Sequence, residues 1–196
     1  MSLVYSSNCA AIGFVVTFVA FFVCEQIGGV IIPKVKRSGA KVKRRNMGSG
    51  VLVICSWVAI FSFPVIVAKV SMGLLPDWIY YVGIFVMVAG IVFRQWAIAV
   101  LGRYFSGVIG VQTEQKVVES GPYRLIRHPS YSGVLVFLVG MGLALQSWVA
   151  IFVNVVIFAI AYGYRIIVEE RVLVSELGNS YVEYMKRTKR VIPKII

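Results

Sequence analysis

The residues best suited to chemistry lie between Gln112 and Gly133, in the stretch QTEQKVVESGPYRLIRHPSYSG. This segment is polar and carries His128, the single histidine of the chain, together with Tyr123, Tyr131, Pro122 and Pro129. Proline suits the first turn of a helix, where the N–H it lacks would have no intrahelical partner. Pro129 therefore predicts a helix that opens at His128-Pro129-Ser130-Tyr131. Free N–H groups and the positive dipole end at such a start can receive a ligand carboxylate. A second cluster, Arg165, Glu169 and Glu170, follows in the last quarter of the chain. Arg165 and Glu169 are spaced i, i+4 and so share a helix face. The plain reading of the two clusters is a loop entering a helix and a surface ion pair worth ~0.3–0.5 kcal/mol. The functional reading is one ligand site, and it requires elements that bring the clusters together.

Those elements are membrane spans. Of the 196 residues, 59% are hydrophobic and only 14% charged, too little polar surface for a soluble domain of this length. The apolar residues fall in runs, and about 20 of them in a helix cover the ~30 Å hydrocarbon core. The predicted fold is all-α, a polytopic integral membrane protein of one domain. Its five spans lie near Ala10–Ile32, Val51–Val70, Ile79–Leu101, Val134–Leu145 (opening from Ser130) and Trp148–Tyr164. The first lacks a basic region before it and is longer than a signal-peptide core, so it reads as a retained span. The last two form a tight hairpin that turns at Gln146-Ser147-Trp148, which returns residues 165–170 to the level of residues 123–131. That return is what makes one site of two clusters.

The basic residues orient the bundle. Segment 34–45 holds seven Lys and Arg, segment 102–128 holds four, and residues 165–196 hold seven more, so 18 of the 20 face one side when there are five spans. The positive-inside rule makes that side cytoplasmic and places the N-terminus outside. The formal charge of +12 thus calls for anionic headgroups and not for nucleic acid, since no soluble basic domain or reading element is present. Beyond the fifth span a polar helix is expected over 165–187. Its stripe of Leu173, Leu177, Tyr181 and Tyr184 would lie at the interface or pack on the cytoplasmic loops. Cys9, Cys24 and Cys55 form no CxxC pair and lie far from His128, so no metal site is expected.

Two charged residues fall inside spans. Arg94 precedes Leu101 by seven positions, ~10 Å inside the cytoplasmic end of a helix. It either snorkels to headgroups or faces a polar cavity, and intramembrane charges are functional candidates by default. Glu25, followed by Gln26, reads as a packing or interhelical hydrogen-bond residue away from the other motifs.

PYRLIRHPSYSG followed by the pair Glu169-Glu170 resembles the RHPxYxG…EE signature of the isoprenylcysteine carboxyl methyltransferases. The likeness runs from Arg94 to Tyr184 and includes the late YVEYMKR segment. The resemblance implies S-adenosylmethionine as methyl donor and S-adenosylhomocysteine as product. By position, Gln112 and the strip Gln115, Lys116, Val117 and Val118 would border the donor, the strip chiefly through its backbone. Tyr123, His128, Pro129, Ser130 and Tyr131 would line the same pocket, with Glu169 or Glu170 as the contacting acid. Arg94 and Arg165 match positions linked to the substrate carboxylate. The chemistry fits, since tyrosine faces attract a sulfonium cation and an acid binds amino or ribose groups. The implied reaction is in-line attack by the carboxylate of a lipophilic acceptor that enters from the bilayer. An α-carboxyl has a pKa near ~3.5 and needs no general base. The alternatives are a phospholipid N-methyltransferase, whose amine would need a base, an NADPH-dependent membrane reductase and a non-catalytic scaffold.

Overall fold

A computed structural model describes residues 2–31, 42–46, 74–106, 109–112 and 115–193. The chain opens with a short α1, Leu3–Ser6, followed by α2, Asn8–Cys24, which continues as a π-helical stretch over Glu25–Ile31. Three further long helices are α3, Ile79–Leu101, α4, Pro129–Ala144, and α5, Trp148–Leu177. The nine-residue α6, Asn179–Arg187, closes the helical part. Two short strands, β1 (Val42–Asn46) and β2 (Ile109–Gln112), pair antiparallel. The segments Asn8–Gly28, Ile79–Tyr104 and Trp148–Leu177 are long and apolar enough to cross a bilayer, and α4 is a shorter apolar helix. The expected second span, Val51–Val70, lies outside the described residues.

Composition explains which faces are buried. At the centre, α3 and α4 pack through glycines, as membrane helices do when van der Waals contact replaces the hydrophobic drive. A Cβ on Gly90 would sit 2.5 Å from the Phe137 backbone nitrogen, and one on Gly140 would sit 2.5 Å from that of Met87. Phe21 of α2 then stacks on Phe137 with ring centroids 4.1 Å apart, joining the first helix to this pair. By contrast, Tyr81, Phe85, Val92 and Trp96 on the other face of α3 are exposed among the described residues.

The described contacts define two ends of the bundle. At one end the Leu3 N–H donates to Gln146 Oε1, Gln146 Nε2 donates to Asp77 Oδ1 at 2.9 Å, and Leu74 bridges to Ser147. Gln146 takes the positive φ of 55° that the tight turn needs, and Ser147 caps α5 by accepting from the Ala150 N–H. At the other end lie the β1–β2 ribbon, the loop after α3 and the C-terminal tail. The pairing of Val42 with Gln112 and of Arg44 with Gly110 puts the basic segment and the polar loop on the same side.

The chain after Tyr164 differs from the expected separate helix over 165–187. Helix α5 runs on without a break to Leu177, and the turn comes at Gly178, whose φ of 59° suits a residue without a Cβ. Nothing between Tyr164 and Arg165 interrupts helix formation, so the polar residues extend the span instead of starting a new element.

Candidate functional site: a cavity at the basic end

A single cavity at this end gathers most of the residues singled out from the sequence. Arg94, Gln115, Lys116, Val117, Val118, Tyr123, His128, Ser130, Tyr131, Arg165 and Glu169 all line it. So do Leu173, Leu177, Tyr181 and Tyr184. The apolar stripe of the last helices therefore faces the cavity and the loops, not lipid headgroups. Pro129 is buried at the first position of α4 and does not itself line the cavity. Gln112 lies in β2, its backbone paired with Val42.

Helix α4 sets the floor. His128 precedes it and stacks flat on Tyr131, with centroids 5.4 Å apart and planes within 6°. From the first turn the Tyr131 side chain reaches α5, where the Arg165 Nε–H donates to its hydroxyl at 2.7 Å. The same hydroxyl donates to Glu169 Oε2 at 2.6 Å. Arg165 and Glu169 are thus joined through Tyr131 in a short relay, a link that i, i+4 spacing alone does not contain. The Arg165 guanidinium also stands 5.9 Å from the Tyr131 ring centre.

Arg94 does not snorkel. It is 7% exposed, and its Nη1 donates to the Ser130 carbonyl at 2.8 Å. Its other edge is taken by Glu25, with Nε donating to Oε1 and Nη2 donating to Oε2 at 2.6 Å. The close approach depends on Gly133, the glycine that ends the RHPSYSG stretch. A Cβ there would lie 2.6 Å from Arg94 Cβ and 2.8 Å from its backbone nitrogen. Any side chain would push Arg94 away from Ser130.

Glu25 is the main residue that reading the sequence misplaced. It does bond between helices as the sequence suggests, but with Arg94 at the cavity wall and not away from the other motifs. The signal was there: a buried cation needs an opposite charge at its own depth. Glu25 lies near the basic end of the first span, as Arg94 does in the third.

Glu170 is corrected in the other direction. It is not among the lining residues and instead organises the tail. Arg127 Nε donates to its Oε1 at 2.8 Å, and Arg190 donates to Oε2 at 3.1 Å from Nε and 2.9 Å from Nη2. His128 Nε2 lies 3.5 Å from Oε1, longer than a good hydrogen bond. Adjacent residues on a helix point about 100° apart, and here Glu169 turns into the cavity while Glu170 turns to Arg127 and Arg190. The tail itself is a further element missed from sequence. The Arg127 N–H donates to the Lys189 carbonyl at 2.7 Å and the His128 N–H to that of Arg190 at 2.9 Å. Ser132 Oγ donates to the Val191 carbonyl at 2.6 Å. This strap fixes the entry to α4.

The electrostatics of the outer wall are simple. Burial, with Glu169 as a further cause, pushes the hydroxyls of Tyr123 and Tyr181 far above the ordinary phenol range. Burial also raises that of Tyr184, which donates to the Tyr123 carbonyl at 2.7 Å. These tyrosines stay neutral near pH 7 and offer ring faces and hydrogen bonds, not phenolate bases. Among the described residues no group of His, Cys, Asp and Glu could hold a metal ion.

A helical membrane protein with a mixed-charge cavity at one bundle end, walled by tyrosines, is the class that fold and site define. The profile of the isoprenylcysteine carboxyl methyltransferase family matches residues 82–175. The chain is 34% identical over 118 residues to protein-S-isoprenylcysteine O-methyltransferase B of Arabidopsis thaliana, covering 59% of this chain and 60% of that one. It is 30% identical over 160 residues to a probable protein-S-isoprenylcysteine O-methyltransferase of Oryza sativa, covering 78% and 84%. The solved structure of a eukaryotic intramembrane Ras methyltransferase, an isoprenylcysteine carboxyl methyltransferase, superposes with a TM-score of 0.57 at 25% identity. That likeness covers 77% of this chain and 55% of the solved one. The chain belongs to the isoprenylcysteine carboxyl methyltransferase family, whose members use a methyl donor.

Proposed function

We propose that this protein transfers a methyl group from S-adenosylmethionine to the carboxylate of a lipophilic, isoprenylcysteine-like acceptor held in the bilayer. The observation that carries this reading is the composition of one cavity wall: Arg94 and Arg165, both buried, beside the acid Glu169 and the ring of Tyr131. When bound, the donor supplies an electrophilic methyl group on a sulfonium. Glu169 and the faces of Tyr123 and Tyr131 suit its positive charges, and the backbone of Gln115–Val118 suits its polar edges. Arg94 and Arg165 orient the acceptor carboxylate, a guanidinium fork being matched to two oxygens. Catalysis then comes from alignment and from exclusion of water by the buried wall.

No general base is required, because the acceptor is ionised at neutral pH. The alternative amine acceptor would need one. Both oxygens of Glu25 are engaged by Arg94, and the Glu169 oxygen nearest Tyr131 is engaged by its hydroxyl. The expected result is therefore saturable S-adenosylhomocysteine binding and methyl transfer to a small prenylcysteine acid at a rate that is flat from about pH 6 to 9. Titration of detergent-purified protein followed by a pH–rate series checks both. A rate that climbs with pH on an amine lipid, with none on the acid, overturns the carboxylate reading. NADPH binding in place of S-adenosylhomocysteine overturns both.

The basic end is assigned to the cytoplasm on the charge asymmetry of the loops, with the N-terminus outside and the C-terminus inside. Reporter fusions at the two termini are expected to fall on opposite sides of the membrane. Both on one side rules this orientation out.

A further inference from the structure

Glu25 has no task in the reaction derived above, yet it holds the edge of Arg94 that an acceptor would use. The Nε and Nη2 atoms form the edge that forks onto a carboxylate, and Glu25 puts one oxygen on each. Nη1 is committed to the Ser130 carbonyl. One such edge takes one carboxylate, so an acceptor aligned by Arg94 through this edge must share it or replace Glu25.

We propose that Glu25 is a resident stand-in for the acceptor carboxylate. It holds the Nε/Nη2 edge of Arg94 between turnovers, yields it to the incoming acid, and retakes it once the product is an ester. This rests on the carboxyl-methylation reading and adds to it a residue that holds the Arg94 edge whenever no acid does.

Three observations support the exchange. Arg94 is a nearly buried cation in a membrane helix, and such a charge needs a partner at every stage of a cycle. Arg94 is also the fixed member of the pair, tied to the first turn of α4 and packed against Gly133. Glu25 is the more exposed side chain, 19% against 8%, and stands at the start of the π-helical stretch Glu25–Ile31. Such stretches are rare and occur frequently at functional sites.

Charge gives the exchange a direction. Methylation forms a bond from the acceptor oxygen to the methyl carbon as the sulfur–methyl bond breaks, its electron pair staying on sulfur. No proton moves, and the acceptor changes from an anion to a neutral ester. An anion can contend with Glu25 for Arg94, whereas an ester contends poorly. Glu25 therefore weakens binding of the acid, which must displace it, and affects the ester less, which leaves the edge to Glu25.

The test compares Glu25→Gln with the unaltered protein, both saturated with S-adenosylhomocysteine so that no turnover occurs. Equilibrium binding of a small prenylcysteine acid and of its methyl ester is measured on each. The acid is expected to bind Glu25→Gln about ten-fold tighter, the worth of one charge-assisted bond, and the acid-to-ester affinity ratio should rise. Unchanged or weaker binding of the acid overturns the proposal and leaves Glu25 a support for Arg94. Retained S-adenosylhomocysteine affinity reports a folded site. If Glu25→Gln fails to fold, Glu25→Asp, whose shorter side chain reaches the fork less well, is read in the same way. Methyl transfer by the unaltered protein is measured on the same acid. Its absence overturns the parent reading and this one with it, whereas transfer without tighter binding in the variants overturns this one alone.

Discussion

Arg165→Ala is expected to cut methyl transfer to a small prenylcysteine acid by about a hundred-fold or more, the usual scale for one lost donor to a reacting oxygen. S-adenosylhomocysteine affinity should remain within about three-fold, since the donor's acid and backbone contacts are untouched. Arg165→Lys should also be impaired, because an ammonium cannot reproduce the planar fork. The geometry supplies the rival account as well. Arg165 holds the Tyr131 hydroxyl, and that hydroxyl holds Glu169, so on the rival account the arginine acts only by steadying the donor's acid. On that account Arg165→Ala lowers S-adenosylhomocysteine affinity as far as Glu169→Gln does. Tyr131→Phe, which cuts the relay and leaves both ends in place, should then match them. Measuring binding and turnover on the same purified variants separates the accounts, and a parallel loss of donor affinity ends the acceptor role of Arg165.

Glu170→Gln is expected to damage stability, not binding chemistry. It leaves Arg127, 8% exposed, without its acid and releases Arg190 from the tail. Removing one partner of a buried ion pair costs about 3–5 kcal/mol, because the other charge stays buried and uncompensated. Arg190→Ala should be far milder. Arg190 is 42% exposed and solvent screens it, while Glu170 keeps Arg127. Thermal melts in detergent, read beside S-adenosylhomocysteine titrations of whatever remains folded, give the comparison. Glu169→Gln should show the reverse pattern, a small shift in melting and a large loss of affinity. If Glu170→Gln melts like the unaltered protein but fails to bind, the paired acids have been assigned the wrong way round.

The membrane class, the third helix at Ile79–Leu101, the helix start at Pro129 and the turn at Gln146-Ser147 are legible in the residues alone. Each follows from local physics. Apolar runs of bilayer length must be helical because lipid offers the backbone no partners. Proline is tolerated at a helix start, and Gln146-Ser147 is the polar break between two apolar runs. The motif also gathered most of the wall, since its spacing along α4 and α5 is nearly rigid once the hairpin forms.

The pairings between elements distant in the chain come from packing. Glu25 meets Arg94 across 69 positions, and Arg127 meets the tail across about 60. Neither is legible in a local pattern. Helical spacing fixes which residues share a face but not how far each helix is rotated about its axis. That rotation is set here by glycines on α3 and α4 that let two backbones approach closely. The rotation of α5, which meets Gly142 of α4 at Ile151, turns Glu169 into the cavity and leaves Glu170 to the tail, a distinction the sequence presents only as two adjacent acids.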